Sequence, residues 1–501
     1  MLTPQKLILN SIKKNFKRKA LWVDQKYYTY KKLLNYAESI ISLMNKKKSK
    51  VVAILIDKNI YCYSSILSLF LDNKVYVPLN NKFSDKKNLN ILSTANVDTI
   101  LYGEKYFNKI KTLKKKLNNK VNIIPIDKNI LNNKFSSYNK LNISKLNEVS
   151  YILFTSGSTG NPKGVPIKNI NLSSYIKNLK KRFTFNCNDK FSNNFDLTFD
   201  LSLHDIFISW TSGGCLYIPD SSYFFNPSVF IKKHKLTCWF SVPSLGLNML
   251  KSKQLKNNNY PCLKYSAFCG EALPETLARN WQAAAPNSLV ENLYGPTETT
   301  LAITGYRWNK NRSPKECKNG IVPIGKIFSG NKALKLKGDT YEFCVSGDQV
   351  FEGYIKDNIA NKKKFIVQNK KNFYRTGDLV LENKFKTFFY LERLDRQIKV
   401  KGFRIEPQEI EEKIKEITSS NDVAVLGWPQ ISNSKYSYEN LVAFIKNNTK
   451  VSNKSIINQL SSILSYNQIP NRLIRLREFK YNSNKKVDYN YFIKYLRNEN
   501  R

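Results

Sequence analysis

The fold of this chain is decided by the stretch Thr155-Ser156-Gly157-Ser158-Thr159-Gly160-Asn161-Pro162-Lys163-Gly164, which follows the apolar run Tyr151-Ile152-Leu153-Phe154. The apolar run predicts a buried strand. The glycines that follow let backbone N–H groups approach a ligand, and the hydroxyls and the lysine ammonium add donors. This combination suits an oligophosphate, but Pro162 stands where a Walker A loop needs its second glycine. A polar hairpin loop is an equally good interpretation of this stretch alone.

Length and hydropathy indicate a globular protein of two or more domains, because 501 residues exceed what one core holds. No apolar run reaches the roughly 18 residues that a membrane span needs. The N-terminus, Met1 to Lys14, lacks the apolar stretch and cleavage site of a signal peptide. These features predict a cytoplasmic protein without stable membrane insertion.

The charged and sulfur-containing residues narrow the chemistry. The eight cysteines are scattered and there are two histidines, so no zinc or iron–sulfur spacing exists and buried reduced thiols are expected. The net charge of +44 would fit a polyanion-binding protein. Because the lysines are spread along the chain among Asn and Ile, we favour a compositional bias and expect no nucleic-acid site. The charge would assist encounter with an acidic protein partner.

Alternating strand and helix patterns predict an α/β fold with parallel sheets. Val51–Ile56, Val75–Leu79 and Thr99–Tyr102 are apolar runs typical of buried parallel strands, separated by helical patterns. Residues 103–149 indicate a surface connection with one strand. A second α/β run covers about 225–300, and 320–390 carries the short strands of a β-rich subdomain.

The last hundred residues or so indicate a small, separate α+β domain. The charged stretch Glu392–Gln397 marks the boundary. We therefore predict an N-terminal domain over 1–394 and a mobile C-terminal domain over 395–501.

Six motifs occur in a fixed order along nearly the whole chain: Tyr151–Gly164, Phe199–Asp205, Asn292–Thr300, Tyr374–Leu379, Arg393–Glu411 and Asn482–Asp488. In this order they resemble the adenylate-forming superfamily of acyl- and aryl-CoA synthetases, luciferase and amino-acid adenylation enzymes. Within that superfamily, Phe199–Ser202 and Phe268–Pro274 are most similar to stand-alone ligases that load D-alanine onto a carrier protein.

The resemblance implies a reaction in two halves. A carboxylate attacks the α-phosphate of ATP, giving an acyl-adenylate and pyrophosphate. The phosphopantetheine thiol of a carrier protein on a separate chain then takes the acyl group, releasing AMP. Positioning and charge neutralisation carry the first half, as in other phosphate displacements.

The same resemblance implies the nucleotide-binding roles. The loop residues around the β- and γ-phosphates would be Thr155, Ser156, Gly157, Thr159 and Lys163. Asn292 and Tyr294 would hold adenine, and Asp378 would accept the ribose hydroxyls, with Arg393 nearby. Thr297 would reach the α-phosphate. Glu298 would hold Mg²⁺, a hard cation that suits one carboxylate plus phosphates.

Three further roles fall in the last third of the chain. Asp395 would be the hinge for rotation of the C-terminal domain, and Gly402 would line the pantetheine path. Lys486 would neutralise charge between the reacting carboxylate and the α-phosphate. The family motif is N-G-K-x-D, whereas this chain has Asn484-Lys485-Lys486-Val487-Asp488, so register favours Lys486 and Lys485 replaces the glycine.

Asp200 is the residue that discriminates among substrates. In amino-acid-activating members an aspartate at this place pairs with the substrate ammonium, and a buried carboxylate is costly without a cation. A helix N-cap is the alternative role. The other pocket positions implied are Leu201, His204, Phe240, Phe268, Gly270, Leu293, Leu301 and Ala302. The large residues His204, Phe240 and Phe268 indicate a small cavity and hence a small amino acid as substrate. D-Alanine is the first choice, and glycine, serine or another small amino acid remains open.

Two other functions remain open at this point. A CoA ligase for a small carboxylic acid would use the same motifs with free CoA as acceptor. A polyanion-binding protein with a vestigial ATP site would explain the net charge, and it predicts nucleic-acid affinity with a steep salt dependence.

Overall fold

The structure is a computed structural model of the chain. It describes residues 1–128, 141–155, 162–223, 226–335, 338–431, 437–447, 449, 451–482 and 487–499. In these ranges, every helix is too short or too polar to traverse a lipid bilayer. All eight cysteines are free, and five of them are buried.

The strands of the described residues are β1 (Lys19–Val23), β2 (Lys26–Thr29), β3 (Val51–Leu55), β4 (Val75–Pro78), β5 (Thr99–Tyr102), β6 (Asn122–Pro125), β7 (Val149–Thr155), β8 (Lys163–Lys168), β9 (Lys190–Ser192), β10 (Cys215–Tyr217), β11 (Cys238–Ser241), β12 (Tyr265–Phe268), β13 (Leu289–Tyr294), β14 (Thr304–Arg307), β15 (Lys326–Ile327), β16 (Asn331–Ala333), β17 (Thr340–Gly347), β18 (Phe365–Gln368), β19 (Lys371–Glu382), β20 (Phe388–Arg393), β21 (Ile398–Val400), β22 (Phe403–Ile405), β23 (Val423–Gln430), β24 (Ser437–Lys446) and β25 (Arg472–Leu476).

The α-helices of the same ranges are α1 (Pro4–Asn15), α2 (Tyr30–Lys46), α3 (Ile60–Leu71), α4 (Asp85–Thr94), α5 (Phe107–Lys116), α6 (Asn169–Arg182), α7 (Leu201–Ser212), α8 (Pro227–His234), α9 (Pro243–Lys251), α10 (Glu275–Ala284), α11 (Ser313–Glu316), α12 (Asn358–Lys364), α13 (Pro407–Thr418), α14 (Asn453–Ile463) and α15 (Tyr489–Glu499).

Two mostly parallel sheets form the body of the molecule. The first has the order β6-β5-β3-β4-β7-β8, and the second has the order β15-β14-β13-β12-β11-β9-β10-β1-β2. Antiparallel pairs occur at β7–β8 in the first sheet, and at β13–β14, β14–β15 and β1–β2 in the second. Nearly every residue of α3 is buried, as expected for a helix that is apolar on all sides. The α/β prediction is confirmed.

The helices of the first sheet begin where polar side chains cap them. Thr29 accepts a hydrogen bond from the Lys32 N–H at the start of α2, and Asn59 accepts one from the Cys62 N–H at the start of α3. The prediction of a surface connection over 103–149 was wrong at α5, a lysine-rich helix that buries Ile110 and Leu113. Its polar composition obscured the helical spacing, and the interval 129–140 lies outside the described residues.

The β-rich part follows as an antiparallel sheet with the order β16-β17-β19-β18, to which β20 is added beside β19. The last sheet, with the order β22-β21-β24-β23 and β25 beside β24, takes its strands from residue 398 onward. It packs α13 and α14 through one apolar cluster and α15 through another. The molecule thus has large α/β sheets, a β-rich portion and a small C-terminal α+β portion.

Strand ends bring the sequence motifs together. β7 ends at Thr155, β12 ends at Phe268 just before Cys269-Gly270-Glu271, and β13 ends at Tyr294. Parallel strands present their carboxyl ends at one edge, where α/β folds place ligand sites. The C-terminal sheet contributes β21 and β22 to the same place, because Gly402 and Arg404 bond to Glu271 and Glu298.

Candidate active site

Three cavities lie side by side where these elements meet. One of about 480 Å³ shares Phe199 and Phe403 with a second of about 90 Å³. The second shares Gly270, Lys399 and Arg404 with a third of about 80 Å³. A chain of neighbouring cavities can hold the parts of an extended ligand, or two ligands that react where they meet.

The third cavity contains a carboxylate held by a cation and a phenol. Asp378, on β19, accepts a hydrogen bond from Arg393 Nη1 at 2.7 Å and another from the Tyr294 hydroxyl. Arg393 also donates from Nε and Nη2 to Asp395 at 2.6 and 2.7 Å. The predicted ribose acceptor, its arginine and the predicted hinge residue therefore form one connected cluster.

Asn292 and Tyr294 line this third cavity from β13. The Asn292 amide donates to the backbone oxygens of Val322 and Pro323 at 3.2 and 2.9 Å, so it holds the loop that forms the opposite wall. Leu293, predicted for the amino-acid pocket, also lines this cavity.

The phosphate-loop prediction falls partly outside the described residues. Ser156, Gly157 and Thr159 lie within residues 156–161, outside the described ranges. The residues on either side, Thr155 and Lys163, pair across β7 and β8. Lys163 Nζ stands 5.3 Å from the centroid of the Tyr354 ring, and Thr155 lines the second cavity.

Glu298 is fully buried and has its charge balanced within the site. The Tyr354 hydroxyl donates to Oε1 at 2.7 Å, and Arg404 Nη1 donates to Oε1 and Oε2 at 3.0 and 2.9 Å. Burial would raise the pKa of Glu298, but Arg404 and Tyr354 lower it to about 2. The adjacent Thr297 lines the second cavity.

Asp200 lines the second cavity directly before α7 and is 6% exposed. Its side chain makes no capping hydrogen bond to the helix, so the N-cap alternative is not what this geometry favours. Burial raises the pKa of Asp200 to about 6, against the opposing influence of Thr297 and Lys399. A cationic ligand beside this buried carboxylate would stabilise its ionised form.

The remaining pocket predictions fall in different places. Leu201 and Gly270 line the same cavity as Asp200. His204 and Phe240 pack ring against ring at 4.0 Å, and the His204 Nδ1 shares a 2.6 Å hydrogen bond with the Tyr175 hydroxyl. Burial lowers the pKa of His204 to about 3, so this imidazole is neutral. Leu301 and Ala302 are buried in the large apolar cluster that also contains Phe240.

Phe268 does not join that group. It meets Trp281 edge to face at 5.1 Å, within the apolar cluster on the other side of the second sheet. Its neighbour Cys269 lines the cavity of Asp200 instead, because successive residues of a strand face opposite sides.

Gly402 lines the 480 Å³ cavity and has a φ of +83°. Its N–H donates to Glu271 Oε1 at 2.6 Å, and a Cβ at this position would stand 2.6 Å from Val242 Cγ1. Only glycine fits both the left-handed backbone and the close approach.

Lys486 and Lys485 lie outside the described residues. The residues before and after them, Tyr481 and Val487, form a β-bridge, and Val487 packs against the apolar cluster that includes Phe492.

Sequence inspection alone missed several side chains of the site. Lys399 lines both smaller cavities, and its charge is coupled to Asp200 and Asp378. Arg404, on the C-terminal sheet, donates to Glu298 of the large body. Glu271, in the large body, accepts from Gly402 beside the C-terminal sheet. Arg404 and Lys399 stand in the quoted motif Arg393–Glu411, whose order was the available signal, but Glu298 and Asp200, with which they interact, lie more than a hundred residues away in the sequence.

Comparison with known proteins identifies this fold as that of adenylate-forming enzymes. The Vibrio cholerae adenylation domain AlmE, solved with glycyl-adenosine-5'-phosphate, superposes with a TM-score of 0.88 at 29% identity, covering 99% of this chain and 98% of that chain. The model of the AMP-binding enzyme family matches residues 10–355. The chain belongs to the AMP-binding enzyme family, and it is an ATP-dependent, AMP-forming ligase.

Two curated relatives refine the comparison. A D-alanine–D-alanyl carrier protein ligase of Bacillus licheniformis is 32% identical over 351 residues, which are 68% of this chain and 69% of that protein. A linear gramicidin synthase protein of Brevibacillus parabrevis is 26% identical over 94% of this chain, and the match spans 9% of that much longer protein.

Proposed function

We propose that this ligase activates a small amino acid, first D-alanine, as an aminoacyl-adenylate and transfers it to the phosphopantetheine thiol of a carrier protein. The observation that carries the proposal is Asp200, a buried carboxylate on the wall of a 90 Å³ cavity. A substrate ammonium there would pair with the carboxylate and offset its desolvation. The cavity volume limits the substrate side chain to a few atoms.

ATP would lie along the neighbouring cavity. Asp378 would accept the ribose hydroxyls, positioned by Arg393, while Asn292 and Tyr294 would flank the adenine. Thr155 and Lys163, with Ser156, Gly157 and Thr159 of the intervening loop, would hold the β- and γ-phosphates. Thr297, next to Asp200, would reach the α-phosphate.

Mg²⁺ fits the residues present. Glu298 is an ionised, buried carboxylate whose charge is balanced by the Arg404 guanidinium in this structure. The described residues contain no cluster of three or more acidic, histidine or cysteine ligands. A site with one protein carboxylate, completed by phosphate oxygens and water, is a usual environment for Mg²⁺. The ion would neutralise phosphate charge.

The chain would divide between residues 394 and 395, with an adenylation domain over 1–394 and a mobile domain over 395–501 that carries the catalytic Lys486. β20 ends at Arg393, and the last sheet begins at Ile398. Asp395, bonded to Arg393, would be the hinge. The 480 Å³ cavity, with Gly402 on its wall, would admit the pantetheine arm.

Glycine is the second substrate candidate. The AlmE domain, which was solved with glycyl-adenosine-5'-phosphate, superposes over 99% of this chain at 29% identity. Leu201, Cys269 and Gly270 line the cavity of Asp200, where a methyl group would distinguish the two substrates.

Product analysis tests the proposed acceptor. The protein would be incubated with ATP, Mg²⁺ and labelled D-alanine or glycine, together with either a phosphopantetheinylated carrier protein or free CoA. We expect label on the carrier as a hydroxylamine-sensitive thioester. Label only on CoA, or activation only of non-amino carboxylic acids, would instead establish a CoA ligase.

A further inference from the structure

Arg404 reaches across from the C-terminal sheet to a carboxylate of the large body. It lies on β22, and its Nη1 donates to both oxygens of Glu298 at 3.0 and 2.9 Å, while Nε donates to Gln397 at 2.7 Å. The Glu298 side chain is fully buried and that of Arg404 is 14% exposed. The pair therefore forms only while β21 and β22 stand against the large body.

The contacts on Glu298 leave little room for another cation. Oε1 accepts from Tyr354 and Arg404, and Oε2 accepts from Arg404. Mg²⁺ demands near-octahedral coordination, so an ion held by Glu298 would need one of these two oxygens as a ligand. The guanidinium and the ion would need the same face of the same carboxylate.

A second carboxylate holds the same segment. Glu271 accepts the Gly402 N–H at 2.6 Å and the Ser244 N–H, in the first turn of α9, at 2.8 Å. The segment from the β21–β22 turn into β22 is thus held at two points. Glu271 holds it through the Gly402 backbone amide, and Glu298 holds it through the Arg404 side chain.

We propose that Arg404 takes the place of the divalent cation on Glu298, so that docking of residues 398–405 and cation binding at Glu298 exclude each other. When no metal ion is held by Glu298, Arg404 neutralises the carboxylate, and the docked segment keeps Gly402 beside the 480 Å³ cavity. Arg404 is a positioning residue for thiol transfer. The nature of this second step rests on the proposed function, whereas the exchange of cations on Glu298 does not.

Amide hydrogen exchange at Gly402 measures the docking directly. The wild-type protein would be compared with and without Mg²⁺ in the presence of α,β-methylene-ATP, with no amino acid present. Because the Gly402 N–H is bonded to Glu271 only in the docked arrangement, we expect its exchange to accelerate at least about tenfold when Mg²⁺ is added.

Three variants complete the test. R404M should exchange rapidly at Gly402 with or without Mg²⁺, R404K should recover part of the protection, and R472M should behave as wild type. Arg472 is the matched control, because it forms a 2.9 Å ion pair with Glu499 within the C-terminal part. R404M should also reach half-maximal pyrophosphate exchange at several-fold lower Mg²⁺ and transfer to thiol at least about tenfold more slowly.

Gly402 protection that persists in R404M, or that Mg²⁺ leaves unchanged in wild type, would overturn the proposal. The hydrogen-exchange arm uses only Mg²⁺ and a nucleotide analogue. A wrong assignment of amino acid or carrier would therefore leave its result interpretable.

Discussion

At the scale of single residues, the proposed substrate class rests on Asp200. Its position before α7 and its place in the motif were readable from the sequence, and the structure puts it on a cavity wall with Leu201 and Gly270. Cys269 was not predicted, because the sequence does not reveal which face of β12 is turned to the cavity. Phe268 shows the same difficulty, since it packs against Trp281 instead.

The Asp200→Asn substitution should weaken amino-acid binding strongly. Losing one partner of a buried charge pair costs about 3–5 kcal/mol, which corresponds to roughly 10²–10⁴-fold in KM. Amino-acid-dependent pyrophosphate exchange measures the effect. Asp220→Asn is the control, because Asp220 bonds Gln25 and Ser222 at the surface. An unchanged KM in the Asp200 variant would contradict the ammonium-binding role.

Activity should also depend on pH through Asp200. Its pKa in the free protein is raised to about 6, so the carboxylate becomes neutral as pH falls through that value and can no longer pair with an ammonium. We expect kcat/KM for the amino acid to fall about tenfold per pH unit below 6. In Asp200→Asn this decline should disappear. Its persistence there would assign the titration to another group.

At the scale of elements, the turn between β21 and β22 links the two parts of the molecule. The motif Arg393–Glu411 pointed to Gly402 as part of a pantetheine path, but it gave no partner for Arg404. Glu271, the partner of Gly402, and Glu298, the partner of Arg404, follow only from tertiary packing, because they lie in the segments after β12 and β13.

Gly402→Ala should impair thiol transfer. The new Cβ would stand 2.6 Å from Val242 Cγ1 in a left-handed conformation, so the turn must move away from the cavity. A displacement of about 1 Å at a reacting centre can cost as much as about 10²-fold in rate. Single-turnover transfer from preformed adenylate to a carrier thiol measures it.

Gly338→Ala is the matched control for this substitution, because Gly338 has a φ of +82° with nothing within 4 Å of its added Cβ. Equal transfer rates in the two variants would show that steric contact at Gly402 is unimportant.

At the scale of the whole molecule, the α/β class, the β-rich portion and the small C-terminal portion were predictable from motif order and apolar runs. Cavity shape and contacts between the two parts were not, because they join residues more than a hundred positions apart. The net charge of +44 was equally uninformative about the fold, since charge sets solubility and encounter rather than topology.

Substitution of Lys486 tests whether this residue acts in adenylate formation rather than in transfer to the thiol. Lys486→Ala should lower adenylate formation by about 10²–10³-fold, the range for loss of one electrostatic stabiliser of a transition state. Transfer from preformed adenylate should be affected far less. Rapid-quench detection of the adenylate separates the steps. Lys485→Ala is the adjacent control, and a larger loss in that variant would move the catalytic role to Lys485.

The most direct test of the central claim is pyrophosphate exchange into ATP across a panel of D- and L-amino acids and small carboxylic acids. Our account predicts exchange with a small amino acid, D-alanine first and glycine second, and none with carboxylic acids that lack an α-amino group. Exchange driven only by the latter, or no exchange with any member of the panel in folded protein, would contradict it.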